Sequence, residues 1–383
     1  MSARLETEEI LRRLVAFDTA SSRSNGPLVD FVRDYLDAPG TLVETTEHEG
    51  KINLAVRRGP ERDDRAGLVL CGHSDTVPAD EPGWTGDPWT LRETDDRWYG
   101  RGACDMKGFL ALAMTALERR DAGALGAPLA LVFTCDEEVG SLGAQRFVEA
   151  PERLARLPRS VLIGEPTGLA AIRLHKGHLR GSILFRGVAA HSGYPHRGVN
   201  AIDAAARSLV ALADLQRELE RHPPAAAARF APVPFEVLNA GAIRGGGPVN
   251  VIPDRCRVDF GIRLLPGSDP DRLVAEMERT IVALDLACEW EITVHNVSPA
   301  LETPAEAPLY RELVASLAQA GSPAVAFSSD AGVLSRHGFD CVLFGPGSIE
   351  VAHKPDEYLP KAELARAAAV VEGLVDRFCG AQR

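Results

Sequence analysis

Apolar residues fall along this chain in two kinds of stretch. Unbroken apolar runs of strand length occupy residues 66–71, 127–135 and 160–164, with a short strand at 53–56 before them. Apolar residues at the helical period of three to four mark 7–17, 28–36, 201–219, 271–284 and 362–378, and a continuous apolar helical run covers 109–117. Each of the three long strands stops by delivering acid or imidazole: His73 and Asp75 after the first, Asp136, Glu137 and Glu138 after the second, Glu165 after the third. Helices lie between them, the grammar of an α/β sheet with its site at the carboxyl ends of the strands. From 177 to 295 the pattern changes to strands at 181–187, 235–238, 255–264 and 288–294, two helices, and an alanine-rich turn at 222–228. This block predicts a small α+β sandwich inserted into the first domain. The expected organisation is a discontinuous catalytic domain, 1–176 and 296–383, carrying an inserted domain at 177–295. Residues 78–98, rich in Pro, Gly and Trp, read as a long irregular loop, and such a loop beside a suspected site is more often functional than idle.

Composition narrows the function classes. The 383 residues fit two or three domains, and 45% hydrophobic residues fit a soluble globular protein. Lys plus Arg number 42 against 54 Asp plus Glu, a net charge of −12 without a block of like charge, so nothing invites nucleic acid or an anionic membrane. The N-terminal stretch mixes acids and bases and lacks the apolar core of a signal peptide, and no run reaches bilayer length. Seven scattered cysteines read as reduced core thiols, which points to the cytoplasm. Cys104 beside Asp105 has no CxxC partner to support a role as ligand or nucleophile.

The candidate chemistry lies at the strand ends. Residues i and i+2 of an extended segment share a side, so His73 and Asp75 can stand as a metal ligand and the group that orients it. Asp105 sits among glycines where a loop enters the 109–117 helix. Three acids at the end of a buried strand are costly unless a cation meets them, and His353 arrives late in the chain on another glycine-rich loop. Two imidazoles and three carboxylates, His73, Asp105, Glu138, Glu165 and His353, suit two zinc-like ions sharing one carboxylate. Taken singly, each has an ordinary alternative: Asp105 a helix cap, His353 a surface histidine before a turn, Glu137 and Glu138 a solvated loop.

Five motifs in order decide among these alternatives: HSDTVP at 73–78, RGACDMKG at 101–108, CDEEVG at 135–140, GEPT at 164–167, and GPGS with AHKPDE at 345–357. Together they resemble the dinuclear zinc family that includes acetylornithine deacetylases, succinyl-diaminopimelate desuccinylases, aminoacylases and glutamate carboxypeptidases. The resemblance implies a zinc-peptidase-like α/β catalytic domain, a mixed sheet flanked by helices, with an inserted lid that makes a homodimer. It implies that His73 and Glu165 hold one metal, Glu138 and His353 the other, and that Asp105 bridges. It assigns Asp75 to orienting His73 and Glu137 to the general base. His191, in AHS at 190–192, would stabilise the oxyanion, in its own subunit or across the dimer. Asn250 and Arg263 match positions that bind the substrate carboxylate, and Asp330, Gly347 and Ser348 belong to the expected substrate pocket.

A water acidified by two cations, a carboxylate to move its proton and donors for the oxyanion amount to amide hydrolysis. The implied cofactors are two divalent ions, zinc or cobalt, and the implied partner is a small N-acyl amino acid. FDTASS at 17–22, LHKGH at 174–178 and HRGVNAI at 196–202 look most like the acetylornithine-hydrolysing branch, a step of arginine biosynthesis. FSSDAG at 327–332 departs from the GTEAG usual in that branch and is similar to the SDG of the desuccinylase and carboxypeptidase branches. The alternatives are therefore a desuccinylase or another deacylase of the family and, from a different class, an inactive metal-binding homologue acting as an interaction protein.

Overall fold

The computed structural model describes residues 4–381, which divide into two compact units. The first comprises Met1–Arg173, Leu301–Pro323 and Ser329–Arg383, and the second Leu174–Ala300 with Ala324–Ser328.

The first unit is built on a six-stranded mixed sheet in the order Thr41–His48, Lys51–Arg58, Leu129–Thr134, Leu68–His73, Ser160–Ile163, Asp340–Leu343. The last four strands run parallel to one another, and the first two are antiparallel to their neighbours. Every residue of Leu68–His73, Leu129–Thr134 and Ser160–Ile163 is buried. Continuous apolar runs rather than alternation are what a sheet enclosed by helices demands. Helices Thr7–Val15, Gly26–Leu36, Gly108–Glu118 and Lys361–Cys379 share its hydrophobic core. Because the three central strands are parallel, their carboxyl ends meet at one edge, with His73 level with Thr134. Two glycines at that edge let other backbone come close. A Cβ at Gly72 would lie 2.5 Å from the Met106 methyl, and one at Gly164 would lie 1.9 Å from the Phe109 ring. The Asp105 segment can therefore press against the strand ends.

Within the expected irregular loop at 78–98 lies short order: Arg92–Glu93 and Arg97–Tyr99 form a small antiparallel sheet with Tyr358–Pro360. Strands of two and three residues are too short to carry a readable period.

The second unit is a two-layer sandwich. Its four-stranded antiparallel sheet has the order Val237–Gly245, Arg255–Leu264, Gly177–Arg186, Glu289–Ser298. Burial alternates along Arg255–Leu264, and the buried side meets helices Ala201–Arg221 and Pro270–Val282 in one core. Both helices start on side-chain caps. Asn200 accepts from the N–H groups of Ile202 and Asp203, and Asp269, followed by Pro270, accepts from Asp271 and Arg272. Residues 324–328, expected with the flanking catalytic segments, belong to this unit. Ala324–Val325 pairs parallel with Leu174–His175, and Ala324 packs on the Leu174, Phe230 and Leu265 cluster.

His175 is fully buried there, its Nδ1 2.9 Å from the Lys176 carbonyl, and burial lowers its pKa to about 4. The folded-state value lies below the unfolded one, so the unfolded chain binds the extra proton first. The stability tied to neutral His175 is complete above about pH 6.5 and is lost as pH falls toward 4, by about 3 kcal/mol in all. Melting curves between pH 7.5 and 4.5 should fall more steeply for the wild type than for His175→Asn. Parallel curves would deny His175 this role.

Candidate metal centre

Five segments of the first unit supply the site. His73 ends its strand, Glu137 and Glu138 follow the next, Glu165 follows the third, and Asp105 and His353 come from loops. Asp105 lies in a π-turn, Ala103–Lys107, entered through Gly102 at φ 77°. The helix itself starts at Gly108 after Lys107 and has no side-chain cap, so Asp105 is not its cap. The two Asp105 oxygens face different histidines. Oδ1 is 3.0 Å from His73 Nε2, and Oδ2 is 3.4 Å from His353 Nε2. His353 Nε2 is also 2.9 Å from Glu138 Oε1.

The potential ligand atoms form two groups that share Asp105: His73, Asp105 and Glu165, and Asp105, Glu138 and His353, each within 4.8 Å of one another. A tetrahedral ion with bonds of about 2.1 Å holds its ligands about 3.4 Å apart, so these spacings and this mixture of imidazole and carboxylate fit a zinc-type ion in each group.

Electrostatics say the same. Burial, reinforced by the other carboxylates, pushes the carboxyls of Glu137 and Glu165 well above their usual range. Burial also raises Glu138, and it lifts Asp330 to about 6. Burial opposes charge on Asp105 as well, but hydrogen bonds to His353 and His73 outweigh it and hold that carboxyl low. The bond to Asp105 and then that to Glu138 raise His353 to about 10, and Asp105 raises His73 against its own burial. Among the described residues the carboxyls of Asp105, Glu137, Glu138, Glu165 and Asp330 gather about two imidazoles, and the ion pairs of Asp105 and Glu138 are with His73 and His353. Protons or cations must balance the charge of such a cluster.

Asp136, the first of the three acids, is paired separately with Lys51 at 3.1 Å. Its positive φ of 53° turns the chain so that Glu137 and Glu138 continue into the cluster. Asp75 holds this turn. Its carboxylate accepts the N–H groups of Glu137 at 3.1 Å and Glu138 at 3.3 Å, and the Ser21 hydroxyl at 2.8 Å. The expected orienting of His73 by the Asp75 carboxylate takes another form. The Asp75 backbone carbonyl lies 2.9 Å from His73 Nδ1, and the carboxylate stands off at 3.8 Å. A His73 N–H on Nδ1 donated to that carbonyl leaves Nε2 as the metal-facing nitrogen.

Asp330 is buried and takes the Thr134 hydroxyl at 2.5 Å, so it stands behind the cluster rather than open to solvent. The Gly347 N–H donates to Glu363 at 2.7 Å, and the Ser348 carbonyl faces the Cys104 thiol at 3.6 Å. Burial raises that thiol far above its ordinary pKa, which removes it as a thiolate. All seven cysteines are free. His191, Asn250 and Arg263 belong to the second unit. His191 is exposed and accepts the Gly193 N–H at 3.0 Å, Asn250 is exposed, and Arg263 is half-buried on its strand. Thr134 and Glu357 are buried groups of the first-unit site that the strand-end pattern does not flag. The available signal for Glu357 is its place closing the motif that carries His353.

The sequence pattern of peptidase family M20/M25/M40 matches residues 69–377. Acetylornithine deacetylase of Myxococcus xanthus is 39% identical over 386 residues, covering 97% of each chain, and that of Proteus mirabilis is 34% identical, covering 98% of this chain and 97% of its own. Among solved structures, an M20 family metallo-carboxypeptidase from Sulfolobus solfataricus shares the fold with a TM-score of 0.77 at 18% identity, covering 98% of this chain and 99% of its own. A dinuclear metal-binding M20 peptidase from Bacillus subtilis does so with a TM-score of 0.67 at 16% identity, covering 96% of each. Agreement of this extent, in sequence and in fold, places the chain in peptidase family M20/M25/M40.

Proposed function

We propose that this chain is a metal-dependent amidohydrolase that cleaves N-acyl amino acids, with N2-acetyl-L-ornithine as its substrate and L-ornithine and acetate as products. The observation that carries the reading is the split of Asp105, one oxygen toward His73 and the other toward His353, near the half-buried Glu137, whose carboxyl is raised well above its usual range. His73, Asp105 and Glu165 would hold one ion, and Asp105, Glu138 and His353 the other. Zinc suits these donors, and cobalt can replace it. When bound, two such ions polarise the amide carbonyl and bring the pKa of a water near 7.

The chain's own groups do the rest. Glu137 accepts a proton from the attacking water as the C–O bond forms and delivers it to nitrogen as the C–N bond breaks. A carboxyl raised by burial holds that proton more firmly near neutral pH than an exposed one does. Asp75 fixes the Glu137–Glu138 backbone, so that base and ligand keep their positions through the reaction. His191 would donate to the oxyanion, and Arg263 and Asn250 would take the substrate carboxylate, roles that rest on the motif resemblance. The same resemblance supports a homodimer formed through the second unit, and the scattered free cysteines support a cytoplasmic enzyme. Among the described residues no helix is long and apolar enough to cross a membrane.

The substrate is tested by a panel of N-acetylornithine, N-succinyl-diaminopimelate and simple N-acetyl amino acids at equal enzyme and metal. The expected result is the highest kcat/KM for acetylornithine. A higher value for the succinyl substrate would move the chain to the desuccinylase branch, and no hydrolysis of any would favour an inactive homologue.

A further inference from the structure

We infer that Glu357 is a positioning residue that fixes where the Asp105 loop stands relative to His353. The inference rests on the reading of Asp105 as the ligand common to both ions. Glu357 is 1% exposed. Its Oε1 accepts the N–H groups of Cys104 at 2.9 Å and Asp105 at 3.0 Å. Its Oε2 accepts the Gly102 N–H at 3.0 Å and Arg101 Nη1 at 3.0 Å. The Gly100 N–H meets the Glu357 carbonyl at 3.0 Å, and the strand that follows pairs with Arg97–Tyr99.

A loop turning into a helix leaves converging N–H groups without partners, and a carboxylate, with about four acceptor sites, can take several at once. Bonds to an ionised acceptor are stronger than neutral ones. Arg101, itself 1% exposed, supplies the opposite charge and is held in turn by Glu81 and by the Trp84 ring, whose centre lies 5.0 Å from the guanidinium carbon.

Four residues before Glu357, His353 adopts a left-handed backbone with φ 59° and points Nε2 at Asp105. One short segment therefore carries a ligand and also the group that holds the opposing ligand in place. Glutamine cannot substitute for Glu357. It has one acceptor oxygen, and its NH2 would face either Cys104 and Asp105 or Gly102 and Arg101, leaving buried donors unmatched.

The test compares wild type, Glu357→Gln and a control, Arg58→Met. Arg58 is a buried arginine whose partners are Thr41 and the carbonyls of Leu36, Leu117 and Arg120, none of them in the site. Metal-free protein is titrated with Zn2+ or Co2+ by calorimetry, and amide hydrogen exchange is followed over residues 102–107 before metal is added. Glu357→Gln should keep the far-UV spectrum, lose affinity for the ions by about 10- to 100-fold, and exchange faster in that segment. Arg58→Met should lower the melting temperature and change neither readout. If the wild type itself does not take up two ions, the functional reading falls and the inference falls with it. If the wild type binds two and Glu357→Gln binds them equally well, or Arg58→Met is weakened as much, only the positioning role is overturned. Should Glu357→Gln fail to fold, Glu357→Asp, which keeps the charge and loses the reach, is judged by the same criteria.

Discussion

Glu137→Gln is expected to keep both metal ions and the fold while kcat falls by about 10²- to 10⁴-fold, the usual contribution of a positioned general base. That loss corresponds to about 3–5 kcal/mol of barrier. Glutamine has nearly the volume of glutamate, and the Asp75 contact to residue 137 is made by its backbone N–H, so the turn survives the change. What disappears is the ability to accept a proton. Because the proton moves only as water attacks and the amine departs, KM should stay within a few-fold of wild type. Metal analysis alongside steady-state kinetics checks both halves. A variant that retained turnover within a few-fold would remove Glu137 as the base.

Asp105→Ala should have the larger effect, because Asp105 is the proposed ligand of both ions. The variant should retain neither ion at stoichiometric level after dialysis and show no measurable hydrolysis. Asp105→Asn sharpens the test. An amide offers one ligating oxygen, so the histidine facing its nitrogen loses a co-ligand, and one ion rather than two should remain. The two faces are distinct in the structure, Oδ1 toward His73 and Oδ2 toward His353. Two ions held by Asp105→Ala would exclude Asp105 as the shared ligand. The metal-free variant also keeps the half-buried Glu137 and Glu138 beside the buried Glu165 and Asp330, so it should melt lower than loaded wild type.

The central strands were legible because burial on both faces imposes unbroken apolar runs, and their polar endings marked one edge of the sheet. His73, Glu138 and Glu165 come together there because those strands are parallel neighbours. Asp105 and His353 come from loops, and no periodicity places them. The five-motif resemblance nominated them, and the structure sets their distances. The hold of the Asp75 carboxylate on the Glu137–Glu138 turn was not legible. Alternation puts its side chain beside that of His73, yet the chain bends after the strand, so its carbonyl meets the imidazole while its carboxylate reaches the next strand's turn. Thr41–His48 escaped notice because an edge strand alternating polar and half-buried residues lacks an apolar run. Residues 324–328 were misplaced because pairing across about 150 residues leaves no local mark.

The insertion of Leu174–Ala300 between strands of one sheet also governs the order in which the protein can mature. His73, Asp105, Glu138 and Glu165 leave the ribosome early, but His353, and the Asp340–Leu343 strand that pairs with Ser160–Ile163, follow only after roughly 190 further residues, about 10–40 s of synthesis at 5–20 residues per second. During that interval the nascent chain exposes a half-built acidic site and an unpaired sheet edge, an opening for misplaced ions and for chaperones. Closing the sheet and bringing His353 to Asp105 and Glu138 are one late event, so translation itself times when this cluster can first be complete.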